Sequence, residues 1–595
     1  MPDSAVDDAP VSDSSAGSEG FAPPVSPSLL GTIAVVAVLG FAVPLLVARH
    51  YHALGVPRGD DWSYLRALYH WVDTGHLNFN HWVSMTLVGQ LVLAAPIAMV
   101  RGHDTSSVQT LTTLLGVVGL LSSYTLARAC GIGRGVATFL TAIVTAGPLF
   151  AVLAVSFMTD VPAFGCSLLC LAIGVTALRR RPVSWPLLLA SLAVGLLAFT
   201  IREYGAIPPV AVALTAAYAL LVERDRRGLR RLLIAAAIGL VAAAVFYAWW
   251  RTIPDPKPFP LGLPTSHAIS TANVKGAGML RFVGFWLLPA IMLVGPIAIV
   301  RRAWREHRWL TLVVGGLTGA WLVATGVKEP RNAFTGNYFI PEGALGQGVG
   351  SGTRPRLIPL HLFEVFVAAG TVGAVVLVLA AVPALALTWR ALRRRDFPAL
   401  APPQLASLVI VLTVSGYTVG YGVAALAGLP LYDRYVLPVV PLTGVLLLRQ
   451  RVPRSTVPPS AAAREDRNDD RWRGWRIALA GVALALLCAI GLDYAADSAS
   501  YDGVRWRVSE AAERAGWAPH QIGGNFEWGN FYSPNPGTAN RTHHVCVLVS
   551  VGAHAVIRSR GDIIATGTYT PPFRPSVPVI AYRTALPCTK GAAQR

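Results

Sequence analysis

The stretch LLGTIAVVAVLGFAVPLLVA, residues 29–48, carries no charged side chain. About 20 apolar residues are enough for a helix to cross a bilayer, so this stretch predicts a first membrane span. It is too long, and the segment before it too acidic, for a cleaved signal peptide. Residues 1–28 are rich in Ser, Pro, Asp and Ala and contain no Lys or Arg, which predicts a disordered tail.

The rest of the chain repeats this pattern. Of its 595 residues 53% are hydrophobic and only 14% are charged, whereas a soluble domain has roughly 25% charged residues. This composition excludes an ordinary cytosolic enzyme, a disordered protein and a disulfide scaffold, and it predicts a polytopic α-helical membrane protein. About thirteen spans are expected, counting the first; the others lie near 106–127, 136–156, 162–178, 185–201, 206–222, 232–250, 281–300, 309–326, 359–389, 404–427, 435–448 and 477–492.

The excess of basic over acidic residues indicates how the chain is oriented in the membrane. There are 50 Lys and Arg against 31 Asp and Glu, a net charge of +19, and most Arg residues stand in short clusters between apolar runs. Such clusters mark cytoplasmic loops, whereas a nucleic-acid surface needs one contiguous basic face. The segments between the basic loops are therefore expected outside the cytoplasm, as is everything after 493: near 160, 202–204, 251–280, 327–358 and 428–434. The segment 327–358 is long enough for a functional or a disordered loop.

The orientation of the first part depends on residues 83–100, which are apolar but interrupted by polar residues and a proline. If they span the membrane, the N-terminal tail lies outside and 50–82 is cytoplasmic. If they lie in the interface or re-enter, the tail is inside and 50–82 is extracytoplasmic. Charge counting leaves both alternatives open.

The tail 493–595 changes character and predicts a small extracytoplasmic α+β domain, with strand-like runs at 545–551 and 577–582. Cys546 and Cys588 fall in this domain, where the compartment permits a disulfide, but the sequence leaves their pairing open. The aromatic stretch 523–528, with Tyr532, has two interpretations. It contacts an acceptor glycan, or it forms a packed aromatic core around a glycine turn.

Acidic residues stand out where apolar runs meet. Asp60 and Asp61 occur in RGDDWSY (58–64), and Asp160 occurs in FMTDVP (157–162). A carboxylate at mid-bilayer costs roughly 2.5–3.5 kcal/mol, and such residues persist where they face a cavity or a partner. The alternative is that these residues only cap the helices that follow them.

Two arginines have similar positions. Arg202 occurs in FTIREYG (199–205) and Arg434 in YDRYVLP (432–438). A planar guanidinium suits phosphate oxygens, so both are candidate phosphate ligands. The alternatives are local ion pairs of Arg202 with Glu203 and of Arg434 with Asp433.

The order of these motifs resembles the GT-C superfamily of membrane glycosyltransferases that use polyprenyl-phosphate sugars, in particular its aminoarabinose transferase and protein O-mannosyltransferase branch (glycosyltransferase family 39-like). The resemblance covers roughly residues 30–450. It implies a first extracytoplasmic loop over 50–105 whose helices do not cross, so that 83–100 is interfacial. A membrane domain over 29–492 is then followed by the extracytoplasmic domain 493–595.

The resemblance also implies roles for the acidic residues. Asp60 matches the general base that deprotonates the acceptor hydroxyl, and Asp160 matches the second acidic site. Asp61 stands where relatives more often carry Glu, which leaves its role open between a helper and a metal contact. No cofactor is certain, and a divalent metal is left open.

For the donor phosphate, the resemblance implies Arg202, Arg434 and Tyr64 as ligands, since Arg202 stands where many relatives carry Lys or Arg near the lipid phosphate. The implied function is an inverting transfer of sugar from a polyprenyl-phosphate donor to an extracytoplasmic acceptor in the cell envelope, by a multi-pass protein of a bacterial plasma membrane. The alternatives are a transporter or flippase of lipid-linked sugars, and a non-catalytic assembly partner.

Overall fold

The computed structural model describes residues 27–257, 264–328, 333–344, 355–394, 399–451, 459–533, 545–552, 562–584, 586 and 588. The predicted disordered tail lies almost wholly outside these residues. The α-helices are α1 Pro27–Val35, α2 Val43–His50 (joined to α1 by a π-helical stretch, Val36–Ala42), α3 Asp61–Thr74, α4 Val88–Arg101, α5 Thr105–Ala129, α6 Arg134–Ala146, α7 Phe150–Ala154, α8 Asp160–Arg179, α9 Trp185–Ile201, α10 Ile207–Val222, α11 Arg226–Trp250, α12 Ser266–Trp286, α13 Leu288–Val294, α14 Pro296–Lys328, α15 Leu360–Arg394, α16 Pro402–Leu426, α17 Val439–Leu448, α18 Pro459–Arg514 and α19 Phe526–Tyr532.

Most of these helices are apolar enough for a membrane. In the described part of the chain, nine helices are long and apolar enough to cross a bilayer, or ten if the bent pair α12 and α13 forms one span. Four shorter apolar helices are α4, α6, α9 and α17. The predicted spans correspond to the long helices, the bent pair and three of the short ones, and α4 covers most of the ambiguous segment. The fold class predicted from the sequence, a multi-pass helical membrane protein, is confirmed.

Helix α4 covers most of the segment whose orientation the sequence leaves open. The Tyr69 hydroxyl lies 3.0 Å from that of Thr105, so residues on either side of α4 meet at the same end of the bundle. The 14 residues of α4 are fewer than the roughly 20 that cross a bilayer, and the interfacial position of residues 83–100 stays a prediction.

Two boundaries differ from those predicted. Helix α12 begins at Ser266, inside the segment 251–280 that the sequence pattern predicts as a loop. The last apolar run does not end its helix at 492, because α18 continues to Arg514. Hydropathy reports where the chain leaves the apolar region, whereas a helix ends at a stop signal; here Gly516 follows, in the left-handed conformation with φ +95°.

Close packing places the start of α8. A Cβ at Gly165 would lie 2.3 Å from the backbone oxygen of Leu115, and one at Gly119 would lie 2.3 Å from the Phe164 ring. Only glycine allows α5 and α8 to approach this closely. Asp160, the first residue of α8, is thereby fixed beside the neighbouring helix ends.

The C-terminal part forms a small α+β unit, as predicted. Its strands are β1 Ile522–Gly523, β2 Val547–Val551, β3 Ile563–Tyr569 and β4 Val577–Arg583. The sheet has the order β1-β2-β4-β3, in which β1 pairs with β2 in parallel and the other pairs are antiparallel. The pairing of Cys546 with Cys588, left open by the sequence, is a disulfide. The far end of α18 packs on this sheet through Val504 and Val508.

Candidate active site

Four of the predicted side chains meet at one end of the bundle, although they come from segments far apart in the chain. Asp60 precedes α3, Asp160 begins α8, Arg202 follows α9, and Arg434 lies in the 3-10 turn Asp433–Val436. Salt-bridge contacts join all four. We refer to these four residues as the charged cluster.

Asp160 lies at the centre of the charged cluster and is fully buried. Its Oδ1 accepts a hydrogen bond from Arg202 Nη1 at 2.7 Å, and the same nitrogen donates to Thr159 Oγ1 at 2.8 Å. Its Oδ2 lies 3.4 Å from Arg434 Nε. The carboxylate therefore faces two guanidinium groups. The ion pair of Arg202 is with this residue, and the salt bridges described do not include the alternative pair with Glu203.

Arg434 connects the two acidic positions. Its Nη2 lies 3.5 Å from Asp60 Oδ2, while its Nε lies 3.4 Å from Asp160 Oδ2. Among the described residues, neither Arg434 Nε nor Asp160 Oδ2 has a partner with hydrogen-bond geometry, although both atoms are buried. The guanidinium is held by charge and retains hydrogen-bonding capacity for an oxygen-rich ligand.

Asp60 is the exposed member of the charged cluster. Its side chain is 25% exposed, against 5% for Arg434 and none for Asp160. It stands at the N-cap position of α3 but makes no capping hydrogen bond with its side chain. Its Oδ1 instead accepts from Trp82 Nε1 at 2.9 Å. A carboxylate held by an indole and a guanidinium, with one side open, is suited to take a proton from a ligand hydroxyl.

Tyrosine rings surround the two guanidinium groups. The Arg202 guanidinium carbon lies 4.6 Å from the centre of the Tyr435 ring, and that of Arg434 lies 4.7 Å from the Tyr432 ring and 5.6 Å from the Tyr338 ring. At such distances a cation is attracted to the face of the ring. The rings hold the arginines by their faces and leave the guanidinium N–H groups for other partners.

Asp433 supports Arg434 through the backbone rather than by pairing with its side chain. Its Oδ2 accepts from the backbone N–H groups of Tyr338 at 2.8 Å and Phe339 at 2.7 Å, and its Oδ1 accepts from the N–H of Arg434 at 2.8 Å. This carboxylate ties the segment 333–344 to the 3-10 turn. Part of the long loop that the sequence singled out therefore lines the site, whereas its Glu329, Arg331 and Arg354 lie outside the described residues.

Tyr64 lies beside the charged cluster. Its buried hydroxyl has no hydrogen-bond partner among the described residues. Burial, followed by the charge of Asp60, raises the pKa of this hydroxyl well above its usual value, while Arg202 and Arg434 oppose that change. The group stays protonated and is available as a donor to a bound ligand.

Asp61 points elsewhere. It is fully buried, and its Oδ2 accepts from the backbone N–H of Phe157 at 2.7 Å and of Arg58 at 3.3 Å. The carboxylate thus connects the loop before α3 to the loop before α8. These contacts place Asp61 outside the salt bridges of the charged cluster, and its role in the reaction stays a prediction. In the described chain, no group of three or more His, Cys, Asp and Glu side chains is placed to hold a metal ion.

The aromatic stretch of the C-terminal unit divides between its two interpretations. Trp528 is fully buried, with its ring centre 4.8 Å from that of Trp506 and 4.6 Å from that of Tyr532, which is a packed core. Phe526 instead contacts the first loop, since its ring centre lies 5.4 Å from that of Trp82. Neither Trp82 nor Tyr338 was predicted from the sequence, because neither residue lies in one of the charged motifs.

No protein-family model and no curated protein matches the chain. The chain is, however, similar to several solved structures. ArnT from Cupriavidus metallidurans bound to undecaprenyl phosphate is 13% identical, with a TM-score of 0.41 over 93% of this chain and 97% of that one. The Archaeoglobus fulgidus oligosaccharyltransferase in complex with Zn and sulfate is 14% identical, with a TM-score of 0.40 over 86% of this chain and 58% of that one. Both belong to the GT-C superfamily that the sequence motifs resemble, and at TM-scores below 0.5 neither similarity assigns a function to this chain.

Proposed function

We propose that the chain is a membrane glycosyltransferase that moves a sugar from a polyprenyl-phosphate donor to an acceptor hydroxyl, with inversion at the anomeric carbon. The observation that supports this most is the bridge formed by Arg434 between a partly exposed carboxylate, Asp60, and a buried one, Asp160. It joins a base and phosphate-binding cations in one site at the end of an apolar helix bundle.

The reaction requires a base on the acceptor and cations on the leaving group. The acceptor oxygen forms a bond to the anomeric carbon while the bond between that carbon and the phosphate oxygen breaks. The hydroxyl proton goes to Asp60, and the electron pair leaves with the polyprenyl phosphate. Attack opposite the departing phosphate, with a single base, inverts the anomeric centre, as in inverting glycosidases.

Arg202 and Arg434 bind the departing phosphate. Arg434 and Arg202 are both oriented by Asp160, so their positive charges are in place before the ligand arrives. Such preorganised charge is the larger contribution in many enzymes, while a positioned base adds roughly 10²–10⁴-fold. The Tyr64 hydroxyl is a further donor near the same oxygens.

The test is a donor screen with the purified protein in lipid nanodiscs. Radiolabelled polyprenyl-phosphate sugars are incubated with cell-envelope acceptors, and a new glycosidic product is measured. We expect Asp60→Asn to lower transfer by roughly 10²–10⁴-fold while polyprenyl phosphate still binds. The matched control is Asp73→Asn, since Asp73 lies in the same helix α3 but is exposed and pairs with His103.

Two results would contradict the proposal. Movement of intact labelled lipid across a proteoliposome membrane, with no new glycosidic bond, would indicate a transporter. Failure to bind any polyprenyl phosphate or to consume any donor would indicate an assembly partner.

A further inference from the structure

The loop that carries Asp60 is held by the C-terminal part of the chain. Arg58 Nε donates to Asp502 Oδ2 at 3.0 Å, and its Nη2 donates to Ser498 Oγ at 2.5 Å. Both partners lie in α18, beyond its apolar run. Because Arg58 and Asp502 are both buried, separating them would leave uncompensated charge in the interior, which is strongly destabilising.

A second contact lies next to the proposed base. Glu527 Oε1 accepts a hydrogen bond from the backbone N–H of Gly59 at 3.2 Å. Glu527 is only 2% exposed. Gly59 has a φ of +62°, a conformation that favours glycine, so the chain turns sharply just before Asp60. The carboxylate of Glu527 therefore fixes the backbone immediately before Asp60.

Phe526, the residue before Glu527, contacts the side chain that binds the Asp60 carboxylate. The Phe526 ring centre lies 5.4 Å from that of Trp82, and the Trp82 indole donates to Asp60 Oδ1. The Phe526 ring centre also lies 6.0 Å from the Trp62 ring centre. Two consecutive residues at the start of α19 thus contact both the backbone before Asp60 and the side chain that binds its carboxylate.

We propose that Glu527 is a positioning residue for Asp60, through which the C-terminal unit sets the orientation of the base. The proposal rests on the function proposed for Asp60 above. Glu527 does not contact the charged cluster in the hydrogen bonds and salt bridges described; it acts through Gly59. Arg505 and Asp502 of α18 interact electrostatically with the Glu527 carboxylate, so this contact belongs to the same buried group of charges as Arg58.

The kinetic test compares Glu527→Ala and Glu527→Gln with wild type in the full-length protein. A misplacement of about 1 Å costs roughly 10²-fold in rate. We expect Glu527→Ala to lower kcat by about 10–100-fold, with the affinity for polyprenyl phosphate within about twofold of wild type. Glu527→Gln should recover most of kcat, because an amide oxygen can still accept from the Gly59 N–H.

The control is Glu510→Gln, since the Glu510 side chain in α18 is half-buried and its Oε2 lies 3.9 Å from Arg514 Nη1. It should leave kcat unchanged. An unchanged kcat in Glu527→Ala would overturn the proposal. So would an equal loss of kcat and lipid-phosphate affinity together with a lower melting temperature, because that pattern indicates a structural role only.

A second readout does not depend on turnover. Hydrogen–deuterium exchange of peptides covering 56–62 should be about 5–10-fold faster in Glu527→Ala, the effect of losing one hydrogen bond of roughly 1 kcal/mol. Exchange over 157–164 should not change. If wild type transfers no sugar but this local change appears, the proposed function fails and the positioning contact stands. If exchange at 56–62 is unchanged, the positioning proposal fails by itself.

Discussion

Replacing Arg434 with glutamine removes the group that lies between both acidic positions of the charged cluster. Its Nη2 is 3.5 Å from Asp60 and its Nε is 3.4 Å from Asp160. Glutamine fills part of the volume but has no positive charge. The site changes from two cations and two carboxylates to one cation and two carboxylates, which disfavours an anionic ligand.

The expected magnitude follows from the contacts that a phosphate would make. A guanidinium offers two N–H groups in a fork, and each hydrogen bond to a charged partner contributes about 1.5–3 kcal/mol. Losing both corresponds to roughly 3–6 kcal/mol, or about 10²–10⁴-fold in affinity. Arg434→Lys retains the charge but lacks the fork, so we expect a loss of only about 10-fold.

The assay is calorimetric titration of the detergent-solubilised protein with a short-chain polyprenyl phosphate. Arg302→Gln is the matched control, since Arg302 pairs with Glu306 within α14 at 3.0 Å and belongs to no part of the site. An affinity of Arg434→Gln within about threefold of wild type would refute the assignment of Arg434 as a phosphate ligand. A lysine variant as weak as the glutamine variant would show that geometry matters more than charge.

Three further outcomes are expected. Asp433→Ala leaves buried N–H groups of Tyr338, Phe339 and Arg434 without their acceptor. Each such group costs about 1–3 kcal/mol, so the melting temperature and the lipid-phosphate affinity should both fall. Full retention of both would contradict this prediction. Burial raises the pKa of Glu527 from 4.5 to about 7. The folded state therefore holds this proton more tightly than the unfolded state. The free energy of unfolding should decrease by roughly 3 kcal/mol as pH rises from 4.5 to 7 and then level off. In Glu527→Gln, the melting temperature should depend less on pH over this range. Cys588→Ser opens a disulfide with a sequence separation of 42 and should destabilise the C-terminal unit by about 4 kcal/mol in denaturant titration, whereas an unchanged midpoint would contradict that estimate.

The sequence was most informative where a charged residue interrupts an apolar pattern. Asp160, Arg202 and Arg434 each stand between two apolar runs, and the cost of placing charge there makes a partner necessary. Alternating crossings then put all three at the same end of the bundle. The capping alternative for Asp60 could not be excluded from the sequence, because N-capping depends on a side-chain rotamer; in the structure that side chain turns to Trp82 and Arg434.

The acidic pair shows a limit of the sequence argument. Asp60 and Asp61 are adjacent, yet Asp60 is the N-cap and Asp61 the first residue of α3. Successive residues on a helix point in directions about 100° apart, so the two carboxylates serve different neighbours. Residue type and spacing could not distinguish which one faces the cluster.

Contacts between distant segments were not predictable at all. Glu527 and Gly59 are 468 positions apart, and Tyr338 meets Arg434 from a loop distinguished only by its length. No local pattern encodes such pairs, since they depend on how α18 carries the C-terminal unit back to the first loop. The helix at 266–280 was not predicted for another reason: its small and polar residues give little hydropathy.

The most direct test of the central claim is a cryo-EM structure of the Asp60→Asn variant with an intact polyprenyl-phosphate sugar. Removing the base should trap the donor before transfer. We predict phosphate oxygens within hydrogen-bonding distance of Arg434, with the anomeric carbon facing residue 60. A phosphate bound away from Arg202 and Arg434, or a sugar that points away from residue 60, would contradict the assignment of the charged cluster as the site of transfer.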